Sequence, residues 1–149
     1  LAAIHSKNKI DFNLSHSYEV ALVAVTAARE IGVDVEWVRK DFAFGEVAKR
    51  FFTRREVAAL HSLPHDFQRE AFYKCWTSKE AFLKAKGTGL SGQLDEVEIV
   101  LTDHVVRVKG TIPNLSLIEL TVDEGYVAAL VVDGVEPRIT YYAWESRSK

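Results

Sequence analysis

From Ile10 the chain alternates apolar and polar side chains, Ile10-Asp11-Phe12-Asn13-Leu14, and a period of two is the signature of a half-buried strand. The run Val20 to Thr26 is small and β-branched, and Gly32-Val33-Asp34-Val35-Glu36 alternates again. Three short strands are predicted over 10–14, 20–26 and 32–36, with Ala27-Ala28-Arg29-Glu30 as the turn between the last two, an antiparallel start to a sheet. In the third strand Val33 and Val35 share one face, while Asp34 and Glu36 share the other. The spacing then becomes helical. The stretch Phe44 to Phe51 reads as one helix, and a second begins at Thr53 and runs toward His61. There Thr53 and Glu56 make a capping box, and Phe52 and Val57 occupy the hydrophobic-staple positions. A longer helix starts near Pro64 to Asp66 and ends by Lys86, with Gly87 available for a left-handed cap. Phe67, Ala71, Cys75 and Phe82 define its buried side, which Phe72, Trp76 and Leu83 extend.

Beyond Gly89, runs at 94–101, 105–109, 115–122, 126–132 and 139–142 alternate or are β-branched, with the clearest breaks at Asp123-Glu124-Gly125 and Asp133-Gly134. The expected fold class is α+β, an antiparallel sheet packed with a long helix, in one domain over residues 1–149. A chain of this length buries about 68–70% of its unfolded surface and needs no staples.

Composition narrows the setting. One cysteine, Cys75, excludes an internal disulfide framework and a thiolate metal site, and fits a reducing compartment. No apolar run approaches the ~20 residues of a membrane span, and no signal peptide is visible, so a cytoplasmic protein without a membrane partner is expected. The N-x-S matches at Asn13 and Asn114 then carry no meaning for glycosylation. With 19 basic and 21 acidic side chains and a formal charge of -2, nothing supports general nucleic-acid binding. The chain has no methionine and begins at Leu1, which reads as a processed or cut piece.

Candidate chemistry concentrates in two segments. Asp34 and Glu36 share a strand face, and Trp76, Glu80 and Lys84 recur every four residues on one side of the long helix, at the flank of its apolar stripe, as suits a cleft. Three carboxylates and a lysine could hold one hard metal ion and a phosphate; hard oxygen ligands suit Mg²⁺, whereas zinc prefers His and Cys. Taken singly, each signal also has an ordinary reading: a solvated strand face, and a helical ion pair worth about 0.3–0.5 kcal/mol. A third segment, Arg39 to Arg55, interleaves Arg39, Lys40, Lys49, Arg50, Arg54 and Arg55 with Phe42, Phe44, Phe51 and Phe52. Phe51 and Phe52 are expected in the core, and the basic residues are expected to contact an acidic partner.

The order of the segments Phe12–Ser17 (FNLSHS), 32–36 (GVDVE), 51–60 (FFTRREVAAL) and 76–90 (WTSKEAFLKAKGTGL) resembles the Sfp-type 4'-phosphopantetheinyl transferases. These move the phosphopantetheine arm of coenzyme A onto a serine of a carrier protein. The holo-acyl-carrier-protein synthase branch shares the acidic motif and the KEA-x-x-K-x-x-G-x-G pattern, but Ser15-His16-Ser17 favours the Sfp-type branch. The resemblance covers about residues 10 to 95. It implies Asp34, Glu36 and Glu80 as Mg²⁺ ligands and Lys84 as a contact to the phosphates of coenzyme A. Ser15 and His16 are implied against the same phosphates, with Lys79 adding positive charge beside the cofactor. It also implies an acyl or peptidyl carrier protein as partner. Glu80 and Lys84 are the candidate catalytic groups, since phosphoryl transfer asks the protein chiefly for positioning and charge neutralisation. The base for the serine proton is either Glu80 or a metal-bound water.

Sfp-type enzymes resemble two similar α+β halves with coenzyme A between them, and this sequence matches the carboxyl-terminal half. A Gly-Lys-Pro segment usual before the first motif is absent, and Ile4 to Lys9 does not replace it. A full site then calls for self-association or for the missing amino-terminal half. Two other readings stand beside the transferase: an inactive module that only holds a carrier protein or nucleotide, and an unrelated magnesium-dependent phosphodiesterase or nuclease. Four candidate site residues together argue against the first, and the near-neutral charge argues against the second.

Overall fold

A computed structural model describes residues 9–87, 94, 97–102, 105–109, 114–135 and 137–144. Its elements follow in the order β1 (Ile10–Ser17), β2 (Val20–Ala27), β3 (Ile31–Trp37), α1 (Gly45–Phe51), α2 (Arg54–Ser62), α3 (His65–Lys86), β4 (Glu98–Thr102), β5 (Val105–Lys109), β6 (Leu115–Leu120) and β7 (Tyr126–Asp133). The α+β class expected from the alternation is what forms, with every described strand pair antiparallel.

The pairing departs from the expected antiparallel start in one respect. β1 and β2 form a separate ribbon, with Ile10 opposite Ala27 and Ser17 opposite Val20. β3 pairs instead with β7, giving a three-stranded sheet in the order β3-β7-β6, while β4 and β5 pair apart. β1 nevertheless lies along β3. It reaches it through side chains, since the face that carries Asn13, Ser15 and Ser17 is turned to the edge of β3.

The β3-β7-β6 sheet has two covered faces. Ile31, Val33, Leu130 and Val132 form one small core with Leu22 and Ala24 of β2. Ala129 and Val131 face the larger core built on α3, where Phe72 is buried and stacks with Phe44 and Phe52. Asp34 lies opposite Ala129 and Gly32 opposite Val131, so the acidic face of β3 is the face turned to α3.

α3 ends as predicted: Gly87 adopts φ 70°, and its N–H reaches the carbonyls of Leu83 and Lys84. The capping box of α2 also forms, with Thr53 Oγ1 accepting from Glu56 N at 3.2 Å and Glu56 Oε2 accepting from Thr53 N at 2.7 Å. Two expectations differ. Phe67 is 42% exposed, because it lies in the first turn of α3, ahead of Ala71 where burial begins. Residues 139–142 form no strand, although Ile139 packs on the small core. The outer face of the β1–β2 ribbon carries Ile10, Phe12, Leu14, Val23 and Val25, all exposed. No described helix is long and apolar enough to cross a membrane.

Candidate active site

Close approach of β3 to α3 creates the site. A side chain at Gly32 would fall on the backbone of Ala81 and Ala85, so only glycine lets the strand lie this near the helix. Two residues on, on the same face, Asp34 meets Lys84: Lys84 Nζ donates to Asp34 Oδ1 at 2.9 Å and to the Val33 carbonyl at 3.0 Å. Glu80 stands one helical turn before Lys84. Asp34 Oδ2 and Glu80 Oε1 are both buried, and neither has a hydrogen-bond partner.

β1 completes the arrangement. Ser15 Oγ donates to Asp34 Oδ1 at 3.0 Å and accepts from Val35 N at 3.1 Å. Ser17 Oγ donates to Glu36 Oε2 at 3.2 Å and accepts from Trp37 N at 2.9 Å. Asn13 Oδ1 accepts from Val33 N at 2.9 Å. Trp76 lines the same cleft as Glu36.

The carboxylates feel burial and one another. Burial raises the pKa of Asp34, while the Lys84 ammonium and the Ser15 hydroxyl pull it back. Glu36 is raised by burial and then by the charge of Asp34. Glu80 is pushed up to about 7, first by burial and next by Asp34, with Lys84 opposing and Glu36 adding. Such a cluster holds excess negative charge at low dielectric with two oxygens unpaired, a state that a cation relieves. Among the described residues, no three His, Cys, Asp or Glu side chains are gathered closely enough to hold an ion as they lie. Lys84 occupies one oxygen of Asp34. The donor set still fits a hard divalent cation: Asp34, Glu36 and Glu80 offer only oxygens, two of them without a partner.

The other sequence-predicted residues lie elsewhere. His16 is exposed on the outer side of β1, opposite Ala21, away from the face of Ser15. Lys79, expected beside the cofactor, is buried at 1% exposure and points into the α2–α3 side of the molecule. Its Nζ donates to the carbonyls of Leu94 at 2.6 Å and Val97 at 2.8 Å, and pairs with Glu56 Oε2 at 2.9 Å. Glu56 Oε1 accepts from Ile99 N at 2.7 Å. The successive positions 79 and 80 point in different directions around the helix, so only one of them joins the site.

Beside Glu36 opens a cleft of about 450 Å³ walled by Tyr18, Trp37, Phe42, Tyr73 and Trp76. Tyr18 and Trp37 stack with ring centroids 4.3 Å apart. Arg39 lies at the cleft, and Arg69 holds the same loop by donating to the carbonyls of Arg39 at 2.9 Å and Phe42 at 2.7 Å. Phe52 is buried as expected, and Phe51 is half-buried against Trp76. Sequence reasoning placed neither Asn13 nor Ser17 at the carboxylates, and it gave Glu56 only a helix-capping role. The signal for the first two was present: Asn13, Ser15 and Ser17 alternate in step with Val33, Val35 and Trp37, twenty residues on.

Comparison with known proteins identifies the family. Residues 30–131, which contain Asp34, Glu36, Glu80 and Lys84, match the family described as the 4'-phosphopantetheinyl transferase superfamily. The chain is 44% identical over 133 residues to 4'-phosphopantetheinyl transferase HetI of Nostoc sp. (strain PCC 7120), covering 88% of this chain and 56% of that protein. It is 38% identical over 90 residues to 4'-phosphopantetheinyl transferase Sfp of Bacillus subtilis (strain 168), covering 60% of this chain and 39% of that one. The chain thus spans about half the length, or less, of these relatives. In fold it is similar to a holo-(acyl-carrier-protein) synthase from Bacillus anthracis str. Ames, solved in complex with CoA (3',5'-ADP). That likeness has a TM-score of 0.58 at 21% identity and covers 71% of this chain and 96% of that one. With the family match running through β3, α3 and β7, the elements that frame the carboxylate cluster, this chain belongs to the 4'-phosphopantetheinyl transferase superfamily.

Proposed function

We propose that this chain carries the carboxylate and lysine half of an enzyme that transfers the 4'-phosphopantetheine arm of coenzyme A to a serine of an apo acyl or peptidyl carrier protein. The observation that carries the reading is the Asp34–Glu80–Lys84 cluster. It sets an ammonium and two unpaired buried carboxylate oxygens against one another within the residues that match the family. Asp34, Glu36 and Glu80 would hold Mg²⁺, which when bound supplies charge neutralisation for the pyrophosphate oxygens.

Lys84 brings a second positive charge. Its ammonium, now on Asp34 Oδ1 and the Val33 carbonyl, has three donors and can offer one to a phosphate oxygen. The carrier serine oxygen forms a bond to the β-phosphorus, the bond from that phosphorus to the bridging oxygen breaks, and adenosine bisphosphate leaves with the electron pair. The serine proton passes to a base, for which the Glu80 carboxylate is the candidate this chain supplies. His16, exposed at the end of β1, is proposed as a phosphate contact. The Ser15 hydroxyl already gives its one proton to Asp34, and Lys79 is fully satisfied in the interior; neither is assigned to the phosphates.

Arg39, at the aromatic cleft, together with Lys40, Arg50 and Arg54 of the same segment, offers positive charge to an acidic carrier protein. The exposed apolar face of the β1–β2 ribbon suits a second half, which we take to be either the amino-terminal part of a two-lobed protein or another copy of this chain. We take the protein to be cytoplasmic, a reading that its single free thiol supports. The test is to incubate the chain with coenzyme A, Mg²⁺ and an apo carrier protein and to weigh the carrier intact. A gain of one phosphopantetheinyl group is expected, from the chain alone if it self-associates or after its missing half is added. No gain under either condition would reject the transferase reading.

A further inference from the structure

Among the described residues β3 is an edge strand whose outer edge meets no backbone ladder. Its inner edge pairs with β7, and the N–H groups of Val33, Val35 and Trp37 point the other way. An edge N–H without a partner is costly when shielded from water. β1 runs beside this edge with a side-chain face, and not its own backbone edge, turned to β3, so it meets these N–H groups with side chains. It offers one at every second residue: Asn13, Ser15 and Ser17 each accept one of the three N–H groups.

The two serines do more than seal the edge. A hydroxyl has one proton to donate besides the lone pairs it accepts with. Ser15 spends its proton on Asp34, and Ser17 spends its own on Glu36. Each serine thereby ties a carboxylate to the N–H of the residue that follows it on the strand, closing a short ring that fixes the acid's rotamer. Asn13 faces no carboxylate at Gly32, and it only seals. We propose that Ser15 and Ser17 are positioning residues that hold Asp34 and Glu36 in the orientation the cation and phosphate chemistry uses, a role distinct from touching the cofactor. This rests on the proposed function for the use of the cation, but not for the orientation itself.

Asn13 is the built-in control, since it shares the ladder without the carboxylate. Ser17 is the better probe of the two serines, because it is only half-buried while Ser15 is 6% exposed. The experiment compares the complete protein with its Asn13→Ala, Ser17→Ala and Ser17→Thr variants. It measures amide exchange at Val33 and Trp37, side-chain coupling constants that report the Glu36 rotamer without metal, and Mn²⁺ affinity by the loss of the free-ion resonance signal.

Asn13→Ala should speed exchange at Val33 and leave Mn²⁺ affinity within about twofold. Ser17→Ala should speed exchange at Trp37, let Glu36 average over rotamers, and weaken Mn²⁺ binding by about 10–100-fold, the usual loss when a group orienting a metal ligand is removed. Ser17→Thr, which keeps the hydroxyl, should restore both. A Ser17→Ala variant with faster exchange at Trp37 but an unchanged rotamer and unchanged Mn²⁺ affinity would overturn the proposal, leaving the serines as edge seals. Should the parent protein bind no Mn²⁺, the cation reading fails by itself. The Glu36 couplings then decide, with averaging in Ser17→Ala supporting the positioning role and a single retained rotamer overturning it.

Discussion

Lys79 and Lys84 lie on the same helix, five residues apart, and each pairs with a carboxylate at 2.9 Å. Around Lys79 the pairing is complete. The ammonium has three acceptors, and both oxygens of Glu56 are used by Lys79, Thr53 N and Ile99 N. Around Lys84 it is not: the ammonium is partly exposed, and Asp34 Oδ2 and Glu80 Oε1 have no partner. A closed ion pair of this kind can do nothing but tie α2, α3 and β4 together. An open one, with spare charge and spare lone pairs, can take a ligand. The degree of hydrogen-bond satisfaction, and not burial or the presence of an ion pair, separates framework from site.

Breaking the closed pair should have the largest effect. Lys79→Met leaves Glu56 charged, buried and short of a partner, and should cost about 3–5 kcal/mol of stability in denaturant unfolding. Adding Glu56→Gln should recover much of that loss, because the amide oxygen can still accept from a backbone N–H. A double variant as unstable as the single one would mean that the packing of Lys79, and not its charge, is what matters.

A smaller loss is expected where the two regions meet the sheet. Gly32→Ala places a methyl group against the Ala81 and Ala85 backbone and should cost about 1–3 kcal/mol. It should also lower transfer more than this loss alone explains, since α3 must move away from Asp34. A variant of parental stability and transfer rate would show that the close approach is not needed.

The smallest effect concerns Cys75, which lies beside the closed pair. Burial foremost, then the charge of Glu56, raises its thiol pKa well above the ordinary range, with Lys79 opposing. A raised folded-state value means that its contribution to stability is intact below the ordinary thiol pKa and is lost as pH rises through the folded value. Stability should therefore not change on account of Cys75 between pH 7 and 8, and the thiol should resist labelling until the protein unfolds. Fast labelling of the native protein at pH 8 would contradict the burial.

Much of this was legible in the sequence, for local reasons. The alternation through residues 10–14 and 32–36 placed β1 and β3, the Thr53–Glu56 box and Gly87 bounded two helices, and the four-residue spacing set Glu80 and Lys84 on one flank. What was not legible depends on partners distant in the chain. Glu56 looked like a capping residue alone because its second partner, Lys79, and its third, Ile99, are 23 and 43 residues away. The pairing of β3 with β7 rather than β2 leaves no mark on either strand's own pattern. Ser15 matched a phosphate-contacting motif, while its hydrogen bonds run to Asp34 and Val35.

The proposed role of the open cluster on β3 and α3 is to perform the transfer. Its most direct test is the intact mass of an apo carrier protein after incubation with coenzyme A, Mg²⁺ and either the complete parent protein or its Glu80→Gln variant, with melting temperatures measured alongside. Glu80→Gln keeps the shape of the side chain and removes its charge and basicity. The account predicts a variant that melts no lower than the parent yet modifies the carrier at least about 100-fold more slowly. Transfer at the parental rate by a folded Glu80→Gln protein would contradict it.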